Sequence, residues 1–220
     1  YHRTWTPLLT EVAERLTGGD RGKARVMLAA IGHDAESGRF RAGSIAAAGD
    51  TFALADMWLR HLQGIERAVL IATLDAHFTE AGPMRSIPVT DLAVLFGRLK
   101  ASGYVLGIAT NDVEASALGT VERFGLTAHV DFVAGYDSGH GQKPGPGMAH
   151  AFCEAVGLVP GEIAVIGDNS HDLEMGRRAG AGLGIGVLTG TSARDDLAPL
   201  ADHVIDSIAL LPALLDGLET

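Results

Sequence analysis

From Gly82-Pro83 to the C-terminus, short apolar runs alternate with stretches of helical spacing, and glycine-rich turns separate them. A chain patterned this way has few options. Consecutive parallel strands need a crossover between them, a helix supplies it, and the sheet is then covered on both faces. The spacing predicts a helix over 91–102 capped by Thr90, then a strand over 104–109 and a helix over 113–124. A strand near 130–133, a helix over 147–156, a strand over 163–166 and a helix over 172–179 follow. Strands over 183–187 and 203–205 and a helix over 208–215 complete the pattern. The expected fold class is α/β with a doubly wound parallel sheet, in which ligands sit beyond the carboxyl ends of the strands.

Residues 1–82 read differently, as helices without a strand. Thr6-Pro7 has the form of an N-cap followed by proline at the first helical position, with Leu8, Leu9, Val12, Ala13 and Leu16 at helical spacing behind it. Asp20 is placed to cap a second helix through Ile31, and Asp50 or Thr51 to start a third reaching His61. A fourth covers 65–79, and the polar stretch 34–44 reads as a loop. The glycine- and proline-rich segment 139–147 is short enough to be a shaped loop and not a linker.

Composition removes several classes of function. A net charge of −10 disfavours nucleic acid and anionic membranes as partners, since both require a cationic footprint. No apolar run approaches the roughly 20 residues that span a bilayer. The opening Tyr-His-Arg-Thr-Trp is polar and is not a secretory h-region. The single cysteine, Cys153, cannot form an internal disulfide and fits a reducing compartment, so a cytoplasmic protein is expected.

Three places carry chemistry. The apolar run Ile163-Ala-Val-Ile-Gly-Asp-Asn-Ser-His-Asp172 ends in two carboxylates four residues apart. Asp168 and Asp172 in that setting suit a magnesium ion, which prefers a few carboxylates completed by water and phosphate oxygens. The plainer explanation, a helix N-cap with an acidic first turn, applies best to Asp172. His171 reads as an exposed loop residue, because imidazole matches a hard cation poorly. A second strand ends in Thr110-Asn111-Asp112, where a hydroxyl and the backbone N–H groups of a following helix can point at a phosphate. Between the two lies an isolated cation, Lys143, in Gln142-Lys143-Pro144.

This order and spacing resembles the second, third and fourth motifs of the haloacid dehalogenase superfamily, in its phosphoglycolate-phosphatase-like branch. The resemblance implies a Rossmann-like core at 83–220 and a smaller all-helical cap domain at 1–82. It implies Mg²⁺ at Asp168 and Asp172, catalytic roles for Thr110 and Lys143, and phosphate binding by Thr110, Asn111 and Lys143. His2 and Arg3 would follow the catalytic loop and lie near the mouth of the site as substrate-binding residues, while Trp5 would anchor the first cap helix. The partner implied is a small phosphorylated metabolite, and the protein would be a monomer or homodimer.

The family's first motif, Asp-x-Asp-x-(Thr/Val), occurs nowhere in the 220 residues. In the family its first aspartate is the nucleophile that forms a phosphoaspartate, and it ends the central strand just before the cap. Without that strand its neighbours would face a gap of roughly 4.8 Å each way. The expectation is therefore that the natural protein begins about 10–20 residues earlier. The 220 residues alone would be an inactive phosphoric monoester hydrolase whose core lacks its first strand. Two rivals stand beside a Mg²⁺-dependent phosphatase. One is a metal-independent 2-haloacid dehalogenase, which the Asp168/Asp172 pair argues against. The other is a degenerate member that binds without catalysis.

Overall fold

A computed structural model describes residues 1–218. The first part of the chain is built from α1 (His2–Leu16), α2 (Arg21–Ala30), a small hairpin of β1 (His33–Asp34) and β2 (Arg39–Phe40), α3 (Ile45–Ala48), α4 (Thr51–Trp58) and α5 (Arg67–Arg85). Leu8, Leu9 and Val12 of α1, Met27 and Leu28 of α2, Trp58 of α4 and Leu70, Leu74 and Phe78 of α5 share one buried cluster. The Trp58 indole N–H donates to the Met27 carbonyl at 2.9 Å, so the largest buried side chain leaves no polar atom unpaired.

Three local readings of this part need correcting. Helix α1 starts at His2 and contains Pro7, five residues inside its first turn's beginning. The early start is held by tertiary contacts: Tyr1 stacks on Trp5, meets Phe40 edge-on, and its carbonyl accepts from the N–H groups of Thr4 and Trp5. Stretch 34–44 is not all loop. Its antiparallel pairs are His33↔Phe40 and Asp34↔Arg39, closed by a turn in which Asp34 Oδ1 accepts from Glu36 and Ser37 N–H. Strands of two residues carry no alternation to read. Helix α5 continues to Arg85 through Gly82 and Pro83. Gly82 lies so close to Ser116 that a Cβ would stand 2.6 Å from its hydroxyl, and packing there overrides the breakers.

The remainder runs α6 (Leu92–Ala101), β3 (Gly107–Ala109), α7 (Glu114–Arg123), β4 (Phe132–Ala134), α8 (Gly147–Val156), β5 (Ala164–Gly167), α9 (Ser170–Ala179), β6 (Leu183–Val187), α10 (Arg194–Leu197), β7 (His203–Ile205) and α11 (Leu211–Leu218). Asp91, not Thr90, caps α6 by accepting from Val94 N–H at 3.1 Å. The α/β class with a parallel sheet holds: β3 pairs β4, β5 pairs β6 and β6 pairs β7, all parallel. The strands fall into two sheets, β3-β4 and β5-β6-β7.

Both hydrophobic layers nevertheless span the two sheets. One joins Ala109 and Ala134 to Val165 under α8 and α9, and the other joins Leu106 to Ile166 and Ile185 under α6 and α11. The carboxyl ends of β3, β4 and β5 thus open on one side, at Thr110, Gly135 and Asp168. Among the described residues no helix is long and apolar enough to cross a membrane.

Candidate active site

Directly beyond β3, Thr110 N–H continues the ladder to the Ala134 carbonyl at 2.9 Å, and its Oγ1 accepts from Asp112 N–H at 3.0 Å. The chain is thereby turned sharply, and Asn111 faces the loop that carries Lys143. The Asn111 amide clasps that loop from both sides: Nδ2 donates to the Lys143 carbonyl at 3.0 Å and Oδ1 accepts from Lys143 N–H at 2.8 Å. With its backbone fixed, Lys143 extends its ammonium to the Ala109 carbonyl at 2.9 Å and to Asp172 Oδ1 at 2.5 Å. Both side chains of this ion pair are 13% exposed.

Asp172 also serves α9. Asn169 is the N-cap, accepting from His171 N–H at 3.1 Å, and Asp172 Oδ2 accepts from Asn169 N–H at 3.1 Å. Both Asp172 oxygens are therefore engaged. Asp168 is different. No cation lies within ion-pair distance of it among the described residues. Burial and the neighbouring Asp172 push its pKa above the ordinary carboxylate value, with Lys143 pulling the other way. Its carboxylate abuts Gly190, where any Cβ would overlap Oδ2.

These groups line a cavity of about 260 Å³ whose opposite wall comes from the helical part, including Tyr1, Trp5, Ile45, Asp50, Leu54 and Phe78. Three side chains hold that wall down. Asn111 Nδ2 and His171 Nδ1 meet the Ala48 carbonyl at 3.1 and 3.0 Å, and Asn169 Nδ2 donates to the Ala47 carbonyl at 3.1 Å. They satisfy the last carbonyls of the short helix α3. His171 is thus a half-buried residue in the first turn of α9, correcting its reading as an exposed loop residue.

Thr110, Asn111, Lys143, Asp168 and Asp172, spread over 63 positions of sequence, converge on this cavity. His2 and Arg3 are not among its lining residues. His2 Nδ1 accepts from Phe40 N–H at 3.2 Å and Arg3 is exposed. Trp5 both packs edge-on against Phe78 and lines the cavity. Cys153 is buried, which pushes its thiol pKa up and away from reactivity.

Sequence reasoning passed over Asp112. Burial of its carboxylate pushes the pKa up to about 6, aided by Asp75 and Asp137 and opposed by hydrogen bonds from Ser116 and Val113. Asp75 itself accepts from the Tyr136 hydroxyl at 2.8 Å. In the fold Asp112 keeps a proton that the unfolded chain releases above 3.8, so the associated stability is whole below that pH and is lost as pH rises through about 6. Asp112→Asn cannot ionise. It is expected to match the parent near pH 4 and to exceed it by about 1–2 kcal/mol near pH 8. Thermal melts at the two pH values check this, and equal melting temperatures throughout would remove the cost assigned to Asp112.

A divalent cation fits one feature of this cavity. Asp168 is a buried carboxyl with a second carboxylate beside it and no cation in contact among the described residues. Among the described residues no three His, Cys, Asp or Glu side chains gather as a complete ligand set. That donor set suits Mg²⁺, which retains water and takes phosphate oxygens, better than an ion needing an all-protein cage.

Residues 57–184 match the family described as haloacid dehalogenase-like hydrolase. The matched stretch is more than half of the chain and includes Thr110, Lys143, Asp168 and Asp172. Among curated proteins, the chain is 37% identical over 107 residues to a probable phosphatase, IndB, of Dickeya dadantii strain 3937, covering 49% of this chain and 46% of that one. It is 31% identical over 124 residues to a phosphoglycolate phosphatase of Mesorhizobium japonicum, covering 55% and 53%. The chain therefore spans about half the length of the curated relatives it matches. A crystal structure from Haemophilus somnus 129pt, described as a predicted phosphoglycolate phosphatase, superposes with a TM-score of 0.68. Its identity is 17%, over 96% of this chain and 92% of that one, and at that level the likeness concerns the fold.

Proposed function

We propose, from the premise that this chain belongs to the haloacid dehalogenase-like hydrolases, that the protein is a Mg²⁺-dependent phosphatase of a small phosphorylated metabolite. The observation that carries this reading is Lys143, whose ammonium bridges the end of β3 and the carboxylate of Asp172 inside the cavity that Asp168 lines. A fixed cation there offsets the charge that grows on phosphoryl oxygens during transfer. Thr110 Oγ1 already accepts from Asp112 N–H, which leaves its hydroxyl proton for a phosphate oxygen. Asn111 and Asp172 act through Lys143, one fixing its backbone and the other its ammonium. Of the two carboxylates expected at the metal, Asp168 would hold Mg²⁺ while Asp172 is engaged by Lys143 and Asn169 N–H, and the bound ion would polarise the phosphoryl group and shield its charge.

The nucleophile in this proposal is a carboxylate on a strand encoded before Tyr1: its oxygen bonds to phosphorus as the ester P–O bond breaks, the alcohol leaves with a proton from solvent, and water then hydrolyses the phosphoaspartate to phosphate and the free carboxylate. The arrangement of the sheets supports it. β3 and β5 belong to separate sheets although common hydrophobic layers cover both, so each offers an edge to one more parallel strand. The end of such a strand would lie between Thr110 and Asp168. Residues 1–82 act as the cap over the site and 83–220 as the core in this scheme.

The test uses the protein expressed from its natural start codon. Phosphate release from phenyl phosphate is expected with Mg²⁺ and is expected to stop in excess chelator and return on adding Mg²⁺. Turnover that continues undiminished in the chelator overturns the metal-dependent mechanism, and no turnover of any ester overturns the phosphatase reading.

A further inference from the structure

Carboxylates outnumber cationic side chains around the cavity. Lys143 is the only Lys or Arg among its lining residues, and Asp172 already holds it. Asp50, Asp112 and Asp168 also line the space. Asp50 belongs to the wall that the helical part contributes. It is 7% exposed and caps α4 by accepting from Ala53 N–H at 2.8 Å. Trp5, Leu54 and Phe78 are apolar residues lining the same space. Arg67, whose field reaches Asp50, is itself exposed and paired with Asp56 at 2.6 Å.

A phosphate ester entering this space brings its phosphoryl group to Lys143 and the strand ends. Its alcohol portion must then rest on the wall formed by Asp50 and the apolar side chains. A carboxylate in that position loses its hydration without gaining a cation. It also meets a fixed like charge across a low-dielectric gap. A neutral or cationic group meets neither penalty, and an apolar one displaces water from Trp5, Leu54 and Phe78.

We infer that the substrate is a phosphate monoester whose alcohol portion is uncharged or cationic and partly apolar, and that carboxylate-bearing esters, phosphoglycolate among them, are rejected. This rests on the phosphatase reading for the identity of the reaction, and on the wall alone for the choice of ligand. Specificity of this kind arises as much from the repulsive element as from the attractive ones.

Binding separates the two. Phenylphosphonate and 4-carboxyphenylphosphonate, titrated calorimetrically into the protein with Mg²⁺, differ only in the distal carboxylate group, and the Asp50→Asn variant separates its charge from its size. Phenylphosphonate is expected to bind at least about tenfold more tightly. In Asp50→Asn, which keeps an N-cap acceptor while losing the charge, that ratio is expected to shrink about threefold or more. Equal or tighter binding of the carboxylated compound overturns the inference, as does a ratio unmoved by Asp50→Asn or a failure of both compounds to bind. Turnover of phenyl phosphate, measured alongside, reports on the phosphatase reading. Its loss with the affinity ratio intact would strike that reading and leave the charge selectivity of the site standing.

Discussion

Lys143→Ala is expected to lower kcat by about 10²–10³-fold, with a smaller change in KM. The ammonium is most useful where negative charge grows, so its removal is felt more in the transition state than in the bound ester. The same substitution strands Asp172 as a charge only 13% exposed, and breaking a buried pair from one side costs about 3–5 kcal/mol. Activity and stability therefore fall together in this variant. A second variant separates them. Lys143→Met with Asp172→Asn removes both charges, and the asparagine can still accept from Asn169 N–H at the start of α9. Its melting temperature is expected to recover most of the loss while kcat stays low. Full recovery of activity in the double variant would make the lysine a structural group.

Asp168→Asn is the counterpart with the opposite stability signature. Loss of the metal's Lewis acidity removes several kcal/mol of transition-state stabilisation, so turnover is expected to fall by about 10²–10⁴-fold. The fold gains, because burial and Asp172 already penalise the charged carboxylate. Its melting temperature without metal should equal or exceed that of the parent. Adding Mg²⁺ should raise the parent's melting temperature and leave that of Asp168→Asn unmoved, since an ion stabilises only the state that binds it. A variant that still shifts with Mg²⁺ would place the ion elsewhere.

The sequence made some of this legible and hid the rest for identifiable reasons. Helix α8 and strands β6 and β7 fall where hydrophobic spacing puts them, because glycines and polar residues bound each run. Strand β3 is three residues and not six: Leu106 N–H turns aside to the Asp131 carboxylate at 2.8 Å before the ladder begins. Among the residues lining the cavity, Thr110, Lys143, Asp168 and Asp172 can be picked out from the sequence because each stands at or beyond a strand end. The latch made by Asn111, Asn169 and His171 was not, since its acceptors are backbone carbonyls of alanines more than 60 positions away. Asp112 was hidden too, as its neighbours Asp75 and Asp137 come from separate elements.

Helix α5 has a consequence for how the molecule comes apart. Leu70, Leu74 and Phe78 near its middle belong to the core of the helical part. One turn further on, Gly82 meets Ser116 of α7, and the carbonyls of Pro83 and Ser86 accept from Arg123 at 2.5 and 2.6 Å. A single helix therefore runs as a common shaft through both packed regions. Breaking it between them would sacrifice contiguous backbone hydrogen bonds and leave two shorter helices, each bearing its own nucleation cost. Loosening of one region is thereby transmitted to the other, and the two parts are expected to melt as a single cooperative unit despite their different architectures.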